Sequence, residues 1–206
     1  MTTRLKQPKP EKTLIFLKIE RSFRKFLEEK GYLIKEIPAD GNCLFRSIAH
    51  QLAGDDCNHN FYRSLAVVHM KARKSHFEGF IYDFGFDGTF EEYLNSMAED
   101  GEWGGQNELV ALSTVLNCKI ILLKETKETI VVNTSQNNND TKTLHLAFYQ
   151  KKSHYFSLVK NDQRNEPHIS AAEEIEARKK ILVKTNDQSS SKLRTKYANK
   201  NSNHEK

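Results

Sequence analysis

Apolar residues recur every three or four positions through the first half of the chain, then shift to continuous and alternating runs near residue 118. In the helical half, Phe16, Leu17, Ile19, Phe23, Phe26 and Leu27 form a stripe over residues 14–30, with Thr13 as its N-cap and Gly31 as its C′ stop. Residues 32–37 read as a short extended stretch, and Pro38 favours extension just before it. Asp40-Gly41-Asn42 is turn chemistry: Asp and Asn bond their own backbone, and Gly tolerates positive φ. Leu44, Ile48 and Leu52, flanked by Phe45 and Ala49, then predict a helix ending near Ala53-Gly54. Asn58 or Asn60 caps the next, with Phe61, Leu65, Val68 and Ala72 on one face. An aromatic- and glycine-rich stretch at 77–86 leads to a capping box, Thr89-x-x-Glu92, opening a helix with Phe90, Tyr93, Leu94 and Met97. Residues 106–116 continue with Leu109, Leu112 and Leu116 on an apolar face.

In the extended half, residues 118–123 are a buried strand and 130–132 a second, followed by a polar loop at 133–141. Leu144, Leu146 and Phe148 alternate, as do Tyr155, Ser157 and Val159, giving two strands around a turn at 150–153. Ser170-x-x-Glu173 caps a last helix with a thin apolar stripe. The expected architecture is α+β: a helical half followed by a small, mostly antiparallel, meander-like sheet. The chain divides into a basic N-terminal tail at 1–12, one domain at 13–165, and a C-terminal helix with a disordered basic tail at 166–206.

Charge changes this picture only at the ends. Residues 1–13 carry a net +3 and residues 188–206 a net +4, which leaves the 174 residues between them at −2 of the total +5. Such tails are read as solvated segments, with contact to nucleic acid or acidic lipid as the alternative. Cys43, Cys57 and Cys118 form no Cys-x-x-Cys pair and nothing at the N-terminus reads as a signal peptide, so a reducing location, the cytoplasm or the nucleus, is expected. No apolar run approaches the roughly 18–20 residues that span a bilayer. Cys57-x-His59 with His50 nearby fits no standard zinc spacing, so no metal is expected. His69 and His76 read as helix-surface residues.

Cys43 falls on the first turn of a predicted helix, where unpaired N–H groups and the positive end of the dipole favour a thiolate and can hold an oxyanion. The alternative is a small buried apolar cysteine. A nucleophilic thiol needs an imidazole, and by spacing any of the eight histidines could serve. His154 is preferred because it opens a strand after a turn. Asp40-Gly41-Asn42-Cys43-Leu44-Phe45-Arg46 resembles the signature of the OTU (ovarian-tumour) cysteine deubiquitinases. Two more stretches agree in order: residues 101–112, beginning Gly101-Glu102-Trp103-Gly104-Gly105, and Ser153-His154-Tyr155-Phe156-Ser157. The resemblance covers about residues 30–162 and reaches neither tail.

It implies a papain-like fold and a thiol isopeptidase that cleaves between the ubiquitin C-terminus and lysine through an acyl-enzyme at Cys43. It implies His154 and Asp40 as further catalytic residues, backbone groups of Asn42 and Cys43 as oxyanion donors, and ubiquitin or polyubiquitin as partner. No cofactor, membrane partner or specific nucleic-acid partner is implied, and a monomer is favoured. Trp103 and Phe156 are candidates for a substrate channel, although an aromatic such as Trp103 more generally fills the core. One position departs from the pattern. The family usually carries an Asp or Asn two residues after the histidine to accept the imidazole N–H, and here Phe156 offers no acceptor. On the resemblance alone, Asn at 156 would supply it, and the departure motivates a competing reading as a catalytically silent ubiquitin-binding module. The basic tails motivate a nucleic-acid-associated protein, but they hold a single aromatic, Tyr197, and no recognised binding fold. Deleting residues 1–12 and 187–206 is expected to leave the melting temperature and any small-substrate hydrolysis largely intact. Salt-sensitive polyanion binding, measured by titration at two ionic strengths, should weaken.

Overall fold

The computed structural model describes residues 10–83, 85–132 and 142–161. Helix α1 (Pro10–Glu29) leads into strand β1 (Tyr32–Lys35). Five helices follow: α2 (Cys43–Ala53), α3 (His59–Ala72), α4 (Lys74–Asp83), α5 (Phe90–Ala98) and α6 (Gln106–Val115). The chain then runs through β2 (Lys119–Lys124), β3 (Thr129–Val132) and β4 (Thr143–Tyr149). A 3₁₀ turn at Gln150–Lys152 precedes β5 (His154–Lys160). The predicted loop at 133–141, the Ser170-capped helix, the domain boundary at 166 and most of both tails lie outside the described residues. Among those described, no helix is long and apolar enough to cross a membrane.

The α+β class holds, with three local corrections. α1 starts at Pro10 rather than after Thr13; proline suits a first helical position because the N–H it lacks would have no intrahelical partner. The helix stops as expected at Gly31, whose φ is +80° and whose N–H bonds the Glu28 carbonyl. On α3 the buried residues include Tyr62, Arg63, Leu65, Ala66 and Met70, while Val68 of the predicted apolar face is 50% exposed. The helix is rotated so that Arg63, a charged residue no apolar count would place inside, points into the protein. The sheet is not a meander. Its order is β1-β5-β4-β2-β3, with β2 and β4 parallel and the other three pairings antiparallel. β3 folds back along one side of β2, and β4 then returns to pair on the other.

Period-two alternation assigns the two sheet faces. Ile120, Leu122, Leu144, Leu146 and Tyr155 join Leu44, Phe45 and Ile48 of α2 and Leu109 and Leu112 of α6 in the larger core. Leu123, Ala147, Tyr149, Phe156 and Leu158 face the other way and meet Phe23 and Leu27 of α1. The thin stripe of α1 is thus enough to cover one face of three strands. α2 is fixed against the sheet by polar contacts as well. His50 Nδ1 lies 2.8 Å from Ser157 Oγ, and Gln51 Nε2 donates to Ser157 Oγ and to the Leu158 carbonyl at 2.8 and 2.7 Å. Gln51 Oε1 in turn accepts the His145 N–H at 2.9 Å.

The β1–β5 ladder pairs Tyr32 with Lys160 and ends with Lys35 opposite Ser157. The chain then turns at Asp40-Gly41-Asn42 and starts α2. There Gly41 (φ +83°) packs on the backbone of Gly101, so that a Cβ at 41 would lie 1.7 Å from the Gly101 carbonyl oxygen. Gly41→Ala therefore meets both a left-handed φ and a backbone clash. We expect it to lower stability by at least about 2 kcal/mol in urea unfolding. A change below about 0.5 kcal/mol, the size usual at unconstrained surface positions, would contradict this close approach.

Candidate active site

The turn before α2 is held by four side chains. Asp40 Oδ1 accepts the Asn42 N–H at 3.0 Å, closing the turn on itself. Asp40 Oδ2 receives both Nε and Nη2 of Arg46, one helical turn into α2, at 2.9 and 2.7 Å. Those bonds and the Arg46 charge overcome burial and hold the Asp40 carboxyl at a pKa of about 2. The Asn42 side chain points inward and is buried. Its Oδ1 accepts from Arg63 Nη2 at 2.6 Å and from the Gly101 N–H at 2.9 Å. Arg63 also donates to the carbonyls of Met97 and Glu102, at 3.1 and 2.8 Å, and its guanidinium carbon lies 4.2 Å from the Phe45 ring centroid. One buried guanidinium thereby ties the Cys43 turn to the end of α5 and the corner at 101–105.

Cys43 is half-buried at the first position of α2. The backbone N–H groups of Tyr155, Leu44 and Cys43 itself lie close enough to the sulfur to favour its thiolate. The Tyr155 N–H belongs to the residue after His154, so the turn delivers the thiol to the start of β5. The thiol pKa is nevertheless raised: burial outweighs the three N–H groups, and the nearby Asp40 charge adds to it. The placement was expected to favour a thiolate. Here the resting form at neutral pH is the thiol, because the sulfur lies among packed groups rather than at an open helix end. The His154 imidazole is buried, and burial is the main cause of its lowered pKa. The Ile37 carbonyl and the charges of Glu36 and Asp40 pull the other way. Its Nε2 lies 3.1 Å from the Ile37 carbonyl oxygen.

The other predicted residues separate. The Asn42 N–H is engaged by Asp40 Oδ1, so of the two backbone donors named from sequence the Cys43 N–H is the one at the free helix end. Asp40 faces Arg46 rather than the imidazole. Phe156 lies behind the imidazole, edge to face at 4.6 Å and 74°, and belongs to the core under α1, not to a channel. Trp103 is 63% exposed rather than in the core. It lines a pocket of about 290 Å³ with Phe86, Tyr93, Met97 and Glu108. Glu108 is buried there, accepts the Tyr93 hydroxyl at 2.5 Å and the Gly105 N–H at 2.6 Å, and has its pKa raised by burial. Among the described residues no group of three or more His, Cys, Asp or Glu could hold a metal ion. His50 contacts Ser157, and His59 Nε2 contacts Asp100 at 3.3 Å. Arg63 and the Ile37 carbonyl were missed from sequence. A lone arginine inside an apolar helix pattern is a signal for the first, whereas a backbone carbonyl leaves none.

Comparison with known proteins bears on this arrangement directly. The family model described as OTU-like cysteine protease matches residues 38–158. OVARIAN TUMOR DOMAIN-containing deubiquitinating enzyme 7 of Arabidopsis thaliana is 37% identical over 138 residues, 66% of this chain and 35% of that protein. Ubiquitin thioesterase otu2 of Schizosaccharomyces pombe is 32% identical over 155 residues, 69% of this chain and 50% of that protein. The chain thus spans between about a third and a half of the length of these relatives. Among solved structures, the OTU domain of OTUD1 superposes with a TM-score of 0.64 at 23% identity, covering 72% of this chain and 99% of that one. An OTU domain in complex with ubiquitin gives 0.53 at 19% identity, covering 73% and 84%. With the matched segment running from the Cys43 turn to the far end of the His154 strand, the chain belongs to the OTU-like cysteine protease family.

Proposed function

We propose that this chain is a deubiquitinase, a thiol isopeptidase that hydrolyses the bond between the C-terminal glycine of ubiquitin and a lysine amine. The observation that carries this is Cys43 at the first position of α2, with the backbone of Tyr155, the residue that follows His154, close to its sulfur. The names of the relatives, a deubiquitinating enzyme and a ubiquitin thioesterase, support the substrate class. So does a family neighbour solved with ubiquitin bound. On this reading, and with three cysteines that form no disulfide framework, the activity belongs to the cytoplasm or nucleus.

In this reading the His154 imidazole takes the thiol proton as sulfur attacks the terminal glycine carbonyl. The tetrahedral oxyanion lies at the helix N-terminus, where the Cys43 N–H is available to it. The imidazolium then gives its proton to the lysine amine, the C–N bond breaks, and a thioester joins ubiquitin to Cys43. Water, deprotonated by the same imidazole, attacks the thioester and releases a carboxylate and the thiol. Asp40 and Asn42 serve by holding the turn: the first through Arg46, the second through Arg63 and Gly101. Trp103, on the corner that touches this turn, is the exposed aromatic available to an extended substrate tail.

Cys43→Ala is expected to abolish labelling by a ubiquitin probe carrying a C-terminal electrophile and hydrolysis of a ubiquitin C-terminal reporter. Cys57→Ala and Cys118→Ala should stay within a few-fold, since one is exposed and unsupported and the other buried with its pKa raised by burial to about 12. Labelling that persists in folded Cys43→Ala would defeat the assignment. The free enzyme gives a second test. The thiolate is the reacting form, and burial raises the Cys43 pKa above the ordinary 9.0. Iodoacetamide alkylation of Cys43 should therefore climb about ten-fold per pH unit between about pH 6.5 and pH 9. A flat rate across that range would mean that a thiolate–imidazolium pair already exists before substrate binds.

A further inference from the structure

We propose that the backbone carbonyl of Ile37 is the positioning group for His154, doing for this chain what a side-chain acceptor two residues after the histidine would otherwise do. The inference rests on the reading of Cys43 and His154 as the reacting pair. Position 156 cannot serve, because its phenylalanine ring stands edge-on to the imidazole and sits in the core beneath α1. Asp40 does not serve either: its carboxylate is turned to the Asn42 N–H and Arg46, and the imidazole Nε2 bonds the Ile37 carbonyl instead. The Ile37 carbonyl oxygen lies 3.1 Å from Nε2 of a buried ring. A carbonyl can only accept, so this contact requires the proton on Nε2. In the neutral ring the basic nitrogen is then Nδ1, free to take the Cys43 proton, and the imidazolium formed keeps its bond to Ile37.

The carbonyl is itself held in place from three directions. The β1–β5 ladder fixes the chain up to Lys35, two residues before Ile37. Glu36 is tied to α1 by a 2.7 Å bond from Arg24 Nη1. Pro38 restricts Ile37 to an extended backbone and fixes its own φ, so the carbonyl between them has little freedom. Pro38 has no N–H, so nothing in the native fold bonds to one there. An ester at 37–38, which cannot keep the proline ring, is therefore judged against a Pro38→Ala amide whose added N–H has no native partner. The two differ chiefly in the acceptor strength of this one oxygen. The position of Cys43 makes that exchange practicable. A synthetic 1–42 segment can be ligated to residues 43–206 through the cysteine, restoring the full chain.

Two measurements test this, the first of which uses no ubiquitin. In protein labelled with 15N at histidine, the His154 ring at neutral pH should show a proton bound to Nε2 and a bare Nδ1. Phe156→Leu, which also lacks an acceptor, should keep that pattern. Protonation at Nδ1, or an even mixture of tautomers, overturns the proposal. In the second, the 37–38 ester with an alanine-like side chain at 38 is compared with the ligated Pro38→Ala amide on a ubiquitin C-terminal reporter. We expect kcat about ten-fold lower in the ester with KM within about two-fold, the size of weakening a bond to a charged ring. An ester as fast as its amide control overturns the proposal, and so does a folded Phe156→Asn protein that is about ten-fold faster than wild type. Should the wild type show the expected tautomer but hydrolyse no ubiquitin reporter, the deubiquitinase reading fails while the positioning role stands.

Discussion

The Arg63 guanidinium lies inside the protein with its terminal nitrogens donating to three oxygens from three separate segments: the Asn42 side chain and the carbonyls of Met97 and Glu102. No carboxylate is among these partners, so the charge is held by dipoles and by the Phe45 ring beneath it. Removing one neutral partner from a buried charge of this kind costs about 1.5–3 kcal/mol, because the charge stays desolvated with one bond fewer. That penalty is why the turn, the end of α5 and the corner at 101–105 can only adopt one mutual arrangement. The contact of Gly41 with Gly101 depends on it, and so does the direction in which α2 starts.

From that fixed start the remaining placement is carried by the sheet. Gln51 joins α2 to β5 and to β4, and His50 adds a second contact to Ser157. The antiparallel pairing of β1 with β5 ends at Lys35, two residues before the carbonyl that meets the histidine. The nucleophile and the imidazole thus arrive from opposite ends of the domain, each located by hydrogen bonds whose partners lie far away in sequence. Burial at the junction sets the chemistry of the resting site. It raises the thiol and lowers the imidazole, so both are neutral before a substrate carbonyl arrives. Burial of this kind favours the neutral form of each group, because a charge in a packed, weakly solvated setting loses its hydration.

Much was legible from local rules. The α1 stop at Gly31, the Thr89–Glu92 capping box, the start of α2 at Cys43 and the strands at 119–124 and 154–160 all follow from short-range chemistry acting within a few residues. These signals survive because capping and turn geometry are satisfied by neighbours in the chain. Three ordered motifs carried the family and hence the pair Cys43 and His154. The two roles open to Trp103, substrate channel or core, could not be separated locally: a large aromatic is usually buried, but this corner turns it outward while Gly104 packs against Leu44 and Phe45.

What the sequence determined by itself was therefore the class of fold, several helix ends and the residues proposed for the heart of the site. Tertiary structure alone decided what those residues touch. Asp40 could have faced the imidazole or closed its own turn, and the outcome hangs on where Arg46 lies one helical turn later. The parallel β2–β4 pairing and the rotation of α3 that buries Arg63 are equally invisible to a pattern of apolar spacing. The acceptor for His154 was hidden most completely. It is a main-chain oxygen, present at every position, and only the approach of two segments 117 residues apart in the chain selects the one at Ile37.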